Sequence, residues 1–556
     1  MTGRDRAGGA GPSLGALAGA TTASVTTVEP ATAVEPKASE EVESADAPGE
    51  GDTDDDRGRH NAVRRAREWV DRRLRAVTPW QLMLVGMVAA YTTYFTKLSL
   101  DIHHGLGTSS YDSGLYDQGI WLMSRFQAPF VTLMGRNLMG DHTSFILVGL
   151  VPLYWLFPAA GTMFFAQSLA IGAGAVPVFL YARKWLASEA MAFVLAAVYL
   201  LHPAVGWTNL ENFHPDAFLG VLVGFAIYAA LERRWRMYVV FVVLSLLVKE
   251  DVSLIIVPLG IWVALRRDRR IGLLTIVGSL GMMAVAMLLV MRSLIGVPTR
   301  NAWRVPFGGP GGLLRTTFER PGEVVDHLRS DGRPWYVWQM LTPFAWLMIR
   351  APEVALIGGG VLVTNVVSTF WYQYHVQYHY SLVIVPALAL GTVYVIGKVR
   401  EHARRWVVTG LAVVAMYTAF LWGPLPFARN DLAYWAPDHP VAEQLRDILD
   451  AVPGDAVVAA HYGVTPHMAH RSEIYQFPTP FRVVLYGPDI SLEGSRLDEL
   501  AERVEYVVLS RAKDEEMQRD WDVVDDAFEL VASNESWEVF RRDPDTPLPP
   551  LPPPTS

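Results

Sequence analysis

The sequence predicts an all-α polytopic membrane domain, with about eleven crossings plus one re-entrant or interfacial helix, followed by a small external α/β domain. Three observations predict it. Apolar residues make up 51% of the 556-residue chain although both ends are polar, so they concentrate in its middle. Within that middle, long apolar stretches alternate with short arginine-rich loops. Beyond Gly423 the pattern changes to short apolar runs of strand character.

Residues 1–60 are rich in Ala, Gly, Thr, Glu and Asp and nearly lack aromatics, a composition that cannot offset its ordering entropy; the segment is expected to be disordered and cytoplasmic. Arg64, Arg65, Arg67, Arg72, Arg73 and Arg75 precede the first apolar helix near Trp80. That helix lies too far in and runs too long for a secretory signal, so it reads as a retained anchor with its N-terminal side inside. Further apolar stretches lie near 162–182, 188–203, 216–231, 237–248, 252–265, 272–292, 336–350, 352–370, 381–397 and 406–422. Cytoplasmic loops fall at Arg183-Lys184, Arg233–Arg236, Arg266–Arg270, Arg350 and Lys398–Arg405. An odd number of crossings puts the C-terminal part outside. Residues 61–422 thus form the membrane domain, with external loops 101–141 and 293–335.

Two segments are too short for ordinary spans. His142–Phe157 extends only about 24 Å as a helix, and a full crossing would turn every later basic loop outward, so it reads as re-entrant or interfacial. The stretches flanking Lys249-Glu250-Asp251 reach about 18–21 Å each, short of a ~30 Å hydrocarbon core, which places that turn below the outer surface. Residues 423–542 form the external α/β domain, with strands at 456–460 and 506–509, a helix near 464–470 and a hairpin around Asn534-Glu535. The Pro-rich end, 543–556, is expected to be a disordered tail.

Composition excludes several classes of protein. The chain has no cysteine, so neither a disulfide framework nor a thiolate metal site exists. The net charge of −9 hides a segregation of acid into the two ends and arginine into loops; this is no nucleic-acid stripe, and membrane lipids are the expected surroundings.

Chemistry concentrates in polar turns beside the apolar runs, where an ionisable group at membrane depth costs at least ~2.5 kcal/mol. Asp112 stands where a helix begins and reads either as its N-cap or as a general base; Asp117 follows on the same amphipathic helix. Asp141 and His142 either cap the short helix or bind phosphate and metal. His214 and Asp216 lie in a turn denser in polar groups than a helix boundary requires. Lys249 and Glu250 form either a neutralised network or, through the lysine, a phosphate contact. Arg300 and Arg304, four residues apart, are solvated loop residues or a phosphate clamp. His379 lies in the aromatic stretch Trp371–Tyr380, which fits an interfacial belt or a surface for sugar or lipid, and His375 precedes it by four positions. No cofactor is required by the sequence. A divalent metal shared by the two aspartates and His142 stays open, without a specific ligand motif.

The motifs Tyr111–Gln118, Gly140-Asp141-His142, Asn212-Phe213-His214-Pro215, Val248–Asp251 and His379-Tyr380-Ser381 together resemble an uncharacterised family of polytopic membrane proteins, a domain of unknown function, over roughly residues 85–540. That family is distantly similar to the GT-C glycosyltransferases, integral membrane enzymes that take sugars from polyprenyl-phosphate donors on the outer face. The resemblance implies a GT-C-like fold and a catalytic carboxylate in the first external loop, at Asp112 or Asp117. Members of the wider superfamily often carry adjacent acids there, whereas these two are five positions apart. The expectation is a cytoplasmic-membrane glycosyltransferase moving sugar from a polyprenyl-phosphate lipid to an external acceptor hydroxyl. A transporter or flippase competes with it, although no second broken-helix repeat matches the Lys249 hairpin. A non-catalytic envelope scaffold is the third reading.

Overall fold

The computed structural model describes Arg64, Arg67 and residues 77–550 apart from positions 431 and 433. Two units separate, Met1–Ala76 and Val77–Ser556. Of the first, only Arg64 and Arg67 are described, both helical, so the expected disorder of 1–60 lies outside the described residues. The second unit is mostly helical and ends in a small sheet domain.

Helix α1 (Pro79–His104) starts at a capping box: Thr78 Oγ1 accepts from the Gln81 amide at 3.3 Å and Gln81 Oε1 from the Thr78 amide at 3.1 Å. The loop after α1 then turns through residues 110–114 into α2 (Leu115–Ser124) and a short ribbon, β1 (Phe130–Val131) with β2 (Arg136–Asn137). The expected re-entrant segment is a 3₁₀ turn, Phe145–Leu150, followed by the one-and-a-half-turn helix Val151–Leu156. Next come α3 (Ala160–Ala173), α4 (Ala175–Leu186), α5 (Glu189–Leu200), α6 (Pro203–Leu210), α7 (Leu219–Leu231), α8 (Trp235–Leu246), α9 (Ser253–Arg266) and α10 (Arg269–Ala284). Helices α8 and α9 have 12 and 14 residues, so the Lys249 turn joins two short arms. A Cβ at Gly272 would lie 2.3 Å from the Ala264 nitrogen, so α9 and α10 meet in backbone contact, the small-residue packing that helices use in lipid. On the other face of the α10 segment Leu274, Val277, Leu288 and Leu289 point outward, as lipid contact requires.

Among the described residues, four helices are long and apolar enough to cross a membrane: Ala160–Leu186, Arg269–Ile295, His379–Gly397 and Glu401–Trp422. A fifth counts if α5 and α6, bent by 49° at His202-Pro203, form one broken span. The predicted stretches at 336–350 and 352–370 are not continuous helices. Ala345 and Trp346 adopt positive φ, and the second stretch is a 3₁₀ turn plus a nine-residue helix, Gly359–Val367. Hydropathy windows register apolarity but not such breaks. Loop 293–335 also gains structure, as the helices Pro310–Glu319 and Pro321–Arg329.

The C-terminal sheet has five strands in the order β4 (Ile474–Gln476), β3 (Val458–Ala460), β5 (Tyr506–Ser510), β7 (Trp537–Arg542), β6 (Phe528–Ser533). β3 runs parallel to β4 and β5, while β7 is antiparallel to β5 and β6. The expected helix near 464–470 is a single 3₁₀ turn, Thr465–Met468. In the described part of the expected tail, Arg542 donates to the carbonyls of Asp543 and Thr546, and Arg496 donates to that of Pro549. Positions 551–556 lie outside the described residues.

One arrangement positions everything that follows. Leu115, Tyr116, Ile120, Val131 and Leu133, from the segment after α1, share a hydrophobic core with Val458, Val464, Ile474 and Trp537 of the sheet domain. Water drives this contact, at roughly 1.5–3 kcal/mol per large apolar side chain fully buried, whereas packing among the membrane helices relies on close fit. Polar pegs fix its register. Ser110 Oγ donates to the Tyr462 carbonyl at 2.9 Å, and Thr132 Oγ1 both donates to the Ile474 carbonyl and accepts its amide.

Candidate functional site

Asp112 is not an N-cap. It lies inside a π-helical turn, Ser110–Gly114, that runs directly into α2. Single π turns inside helices recur at functional sites because they re-aim a side chain. One Asp112 oxygen faces His214 Nε2 at 3.1 Å and the other accepts from Ser109 Oγ at 3.2 Å, while about a third of the side chain remains exposed. Burial alone would raise its pKa; the neighbouring His214 outweighs this and holds the carboxyl below its ordinary value.

His214 reaches this position because its turn is clamped from two sides. Asn212, at φ 56°, accepts from the Ser109 amide at 2.9 Å and from Ser113 Oγ at 3.0 Å. Gln167 of α3 accepts from the His214 amide at 3.0 Å and donates to the Asn212 carbonyl at 2.9 Å. The other histidine nitrogen, Nδ1, is 3.0 Å from the Glu211 carbonyl and 3.5 Å from Glu211 Oε2. That same carboxylate oxygen lies 2.7 Å from His379 Nδ1 and accepts from the His379 amide at 3.2 Å. The two imidazoles stack with centroids 3.6 Å apart. Burial pushes the Glu211 carboxyl up to about 8. Glu211, His214 and His379 offer donor atoms all within 4.8 Å of one another, a set that could hold a metal ion.

A second group adjoins the first. Lys249 Nζ is 3.6 Å from Asp216 Oδ2 and sits 5.6 Å from the centroid of the Tyr380 ring. Arg304 donates to the Tyr380 hydroxyl at 3.3 Å and stacks 4.3 Å from the Phe370 centroid. Among the described residues its buried Nε has no hydrogen-bond partner. Asp216, Asp251, Asn365, Gln373 and Tyr380 line a cavity of about 50 Å³. The two groups adjoin through consecutive residues: His379 stacks on His214, and Tyr380, next in the chain, meets Lys249 and Arg304.

The remaining predicted residues divide. His142 pairs with Glu250 Oε1 at 2.8 Å, and Glu250 also accepts from the Thr143 amide at 3.2 Å, so both belong to a wall that pins the Lys249 turn to the first loop. Asp141 caps nothing; it receives Arg136 Nε at 2.8 Å and Nη2 at 2.6 Å. Asp117 is not beside Asp112. It is buried, accepts from the Tyr154 hydroxyl at 2.7 Å and lies 2.9 Å from His470 Nε2 of the sheet domain, because the helical register of α2 turns it toward that domain. Arg300 and Arg304 do not converge, since between them the chain makes a 3₁₀ turn, Ala302–Arg304, and not the α-helical turn that sets side chains four apart on one face. Arg300 donates to the Gly487 carbonyl at 2.5 Å, and only Arg304 reaches the centre. His375 and His379 are not on one helix either; His375 bonds to the Trp371 carbonyl at 2.7 Å. Sequence reasoning did not assign Glu211, Asn212, Tyr380 or Asp251. The density of polar groups over Asn209–Asp216 was the available signal for the first two.

With this geometry in place, comparison with known proteins is informative. A family described as "Predicted membrane protein (DUF2079)" matches residues 102–545. No match arises among curated proteins. Among solved structures, ArnT from Cupriavidus metallidurans bound to undecaprenyl phosphate aligns with a TM-score of 0.52 at 13% identity, over 84% of this chain and 98% of that one. The apo state of ArnT gives 0.47 at 15% identity, over 84% and 99%. The arabinofuranosyltransferase AftD from Mycobacteria gives 0.41 at 15% identity, over 82% of this chain and 40% of that one. The first of these establishes an ArnT-like fold, and the distant GT-C similarity holds at that level.

Proposed function

The chain belongs to the DUF2079 family of predicted membrane proteins, and we propose that it is an inverting membrane glycosyltransferase using a polyprenyl-phosphate sugar donor on the outer face of the cytoplasmic membrane. The observation that carries the reading is a partly exposed carboxylate, Asp112, oriented by the buried His214, whose stacked partner His379 precedes Tyr380, the residue that meets the two cations Lys249 and Arg304, in an ArnT-like fold. The ArnT structure was solved with undecaprenyl phosphate, which supports a lipid phosphate as the leaving group here. The N-terminus lies inside and the C-terminal domain outside, with about eleven passages formed partly by broken or short helices.

The acceptor hydroxyl gives its proton to the Asp112 carboxylate as its oxygen attacks the anomeric carbon, while the bond from that carbon to the phosphate oxygen breaks. A single displacement inverts the anomeric centre. The phosphate departs with the bonding electrons, and Lys249 and Arg304, linked through Tyr380, neutralise the charge it gains. His214 keeps the base aimed, and Asp216 holds Lys249 in place while meeting sugar from the cavity side. The first loop and the sheet domain form the acceptor entrance together, since they share one core.

Asp112→Asn is the test. The asparagine oxygen can still face His214, so the variant should fold and bind donor while transfer from a polyprenyl-phosphate sugar falls about 10²–10⁴-fold. Undiminished transfer by monodisperse protein excludes Asp112 as the base.

A further inference from the structure

We infer that Glu211, His214 and His379 form a binding site for one first-row divalent cation of the Zn²⁺ class, with Asp112 as the outer carboxylate that fixes His214. The inference rests on the proposed function only for what the cation does, not for whether it binds.

The donor set is a carboxylate and two imidazoles, the borderline-soft mixture that suits zinc and its neighbours better than Mg²⁺ or Ca²⁺. The three residues come from two distant turns, yet their donor atoms gather within 4.8 Å of one another and all are buried or nearly so. Ligands at ~2.0–2.1 Å around a tetrahedral ion stand about 3.3 Å apart. The 3.5 Å between His214 Nδ1 and Glu211 Oε2 is already at that spacing. The 2.7 Å between His379 Nδ1 and Glu211 Oε2 must open by about 0.6 Å, and the stacked imidazoles, now 21° from parallel, must rotate so that each nitrogen meets the ion in its own ring plane.

The arrangement without a cation is internally awkward. His214 faces oxygen acceptors at both nitrogens, the Glu211 carbonyl and carboxylate at Nδ1 and Asp112 at Nε2. Neutral imidazole has a single N–H, so it satisfies only one of them. A cation at Nδ1 removes the conflict: Nδ1 becomes a ligand and Nε2–H donates to Asp112. This is the carboxylate–histidine–metal relation by which outer groups fix ligand tautomers. Three protein donors leave a fourth position open, as at reactive zinc centres and unlike closed structural ones.

Full-length protein, purified in detergent, is assayed for metal content, stripped with a chelator, and titrated with Zn²⁺, Co²⁺, Mn²⁺ and Mg²⁺ while heat of binding, thermal unfolding and visible absorption are followed. About one equivalent of Zn²⁺ or Co²⁺ should bind, raise the unfolding temperature and, with Co²⁺, produce the d–d bands of a four- or five-coordinate ion. Glu211→Gln and His379→Gln should each abolish stoichiometric binding; Asp112→Asn should retain it with affinity about 10–100-fold lower. Absence of saturable binding and of cobalt bands in the wild-type chain overturns the inference, whatever the variants do. Preference for Mg²⁺ over Zn²⁺ and Co²⁺ overturns the assigned class. The outcomes also separate this site from the proposed function. Stoichiometric zinc in a protein that transfers no sugar defeats only the latter, and transfer by a protein that binds no cation defeats only the former.

Discussion

The Lys249–Asp216 pair allows a quantitative test of the centre by replacing Lys249 with Met, Asp216 with Asn, and both together. Lys249 Nζ and Asp216 Oδ2 are 3.6 Å apart, with side chains only 4% and 10% exposed. At an effective dielectric of ~20 their attraction is about 5 kcal/mol, and desolvation of the two ions offsets much of it. Removing one partner is a different matter, because the other charge stays buried and the expected cost is about 3–5 kcal/mol. The two single variants should not be equal. Lys249 left alone still acts on Asp251, Glu250 and the Tyr380 ring, whereas Asp216 left alone loses its main counter-charge. Lys249→Met should therefore be the more damaging, and the double variant should recover at least ~2 kcal/mol relative to the sum of the singles. Denaturant unfolding in mixed micelles, followed by tryptophan fluorescence, gives all four free energies. Additive singles, or a Lys249→Met protein as stable as wild type, would refute the buried-pair argument and with it the neutralised pocket around Tyr380.

Asp117→Asn should lower stability by about 1.5–3 kcal/mol through loss of the charge-assisted contacts with Tyr154 and His470, and should increase proteolysis of the sheet domain while leaving transfer per folded molecule intact. Arg304→Met should raise the donor KM about tenfold or more, and Arg304→Lys should not restore it, because a lysine cannot both stack on Phe370 and donate to Tyr380. The sheet domain should be sensitive to acid. Burial lowers the pKa values of His461 and His467 to about 4, with Asp514 opposing the shift at His461, and His104 and Arg446 reinforcing it at His467. Both imidazoles are thus neutral in the fold but protonate below about 6.5 when unfolded. Their stabilisation is present above pH ~6.5 and is lost as pH falls toward 4, roughly 3 kcal/mol for each. A pH series of unfolding transitions that stays flat between 7 and 4 would contradict this assignment.

The amino-acid sequence by itself determined which stretches are apolar, where the polar turns interrupt them, the short arms around Lys249, and the strands and terminal hairpin of the sheet domain. These follow from local quantities, namely the hydropathy, β-propensity and turn chemistry of a few consecutive residues. Asp112, Asp141, His142, His214, Asp216, Lys249, Glu250 and His379 were legible as candidates for the same reason, since charge beside an apolar run is itself a local signal. Only the tertiary structure decided who meets whom. Asp112 finds His214 at a separation of 102 residues, Glu211 finds His379 at 168, and Asp117 is drawn away to His470 at 353. Arg300 and Arg304 part because the chain between them makes a 3₁₀ and not an α-helical turn, and two expected spans break at positive-φ and 3₁₀ turns that apolarity does not encode. An ion pair depends on the final distance between side chains, which helix register and packing set jointly. Two aspartates on one short segment therefore take different partners, one meeting His214 and the other His470 of the sheet domain.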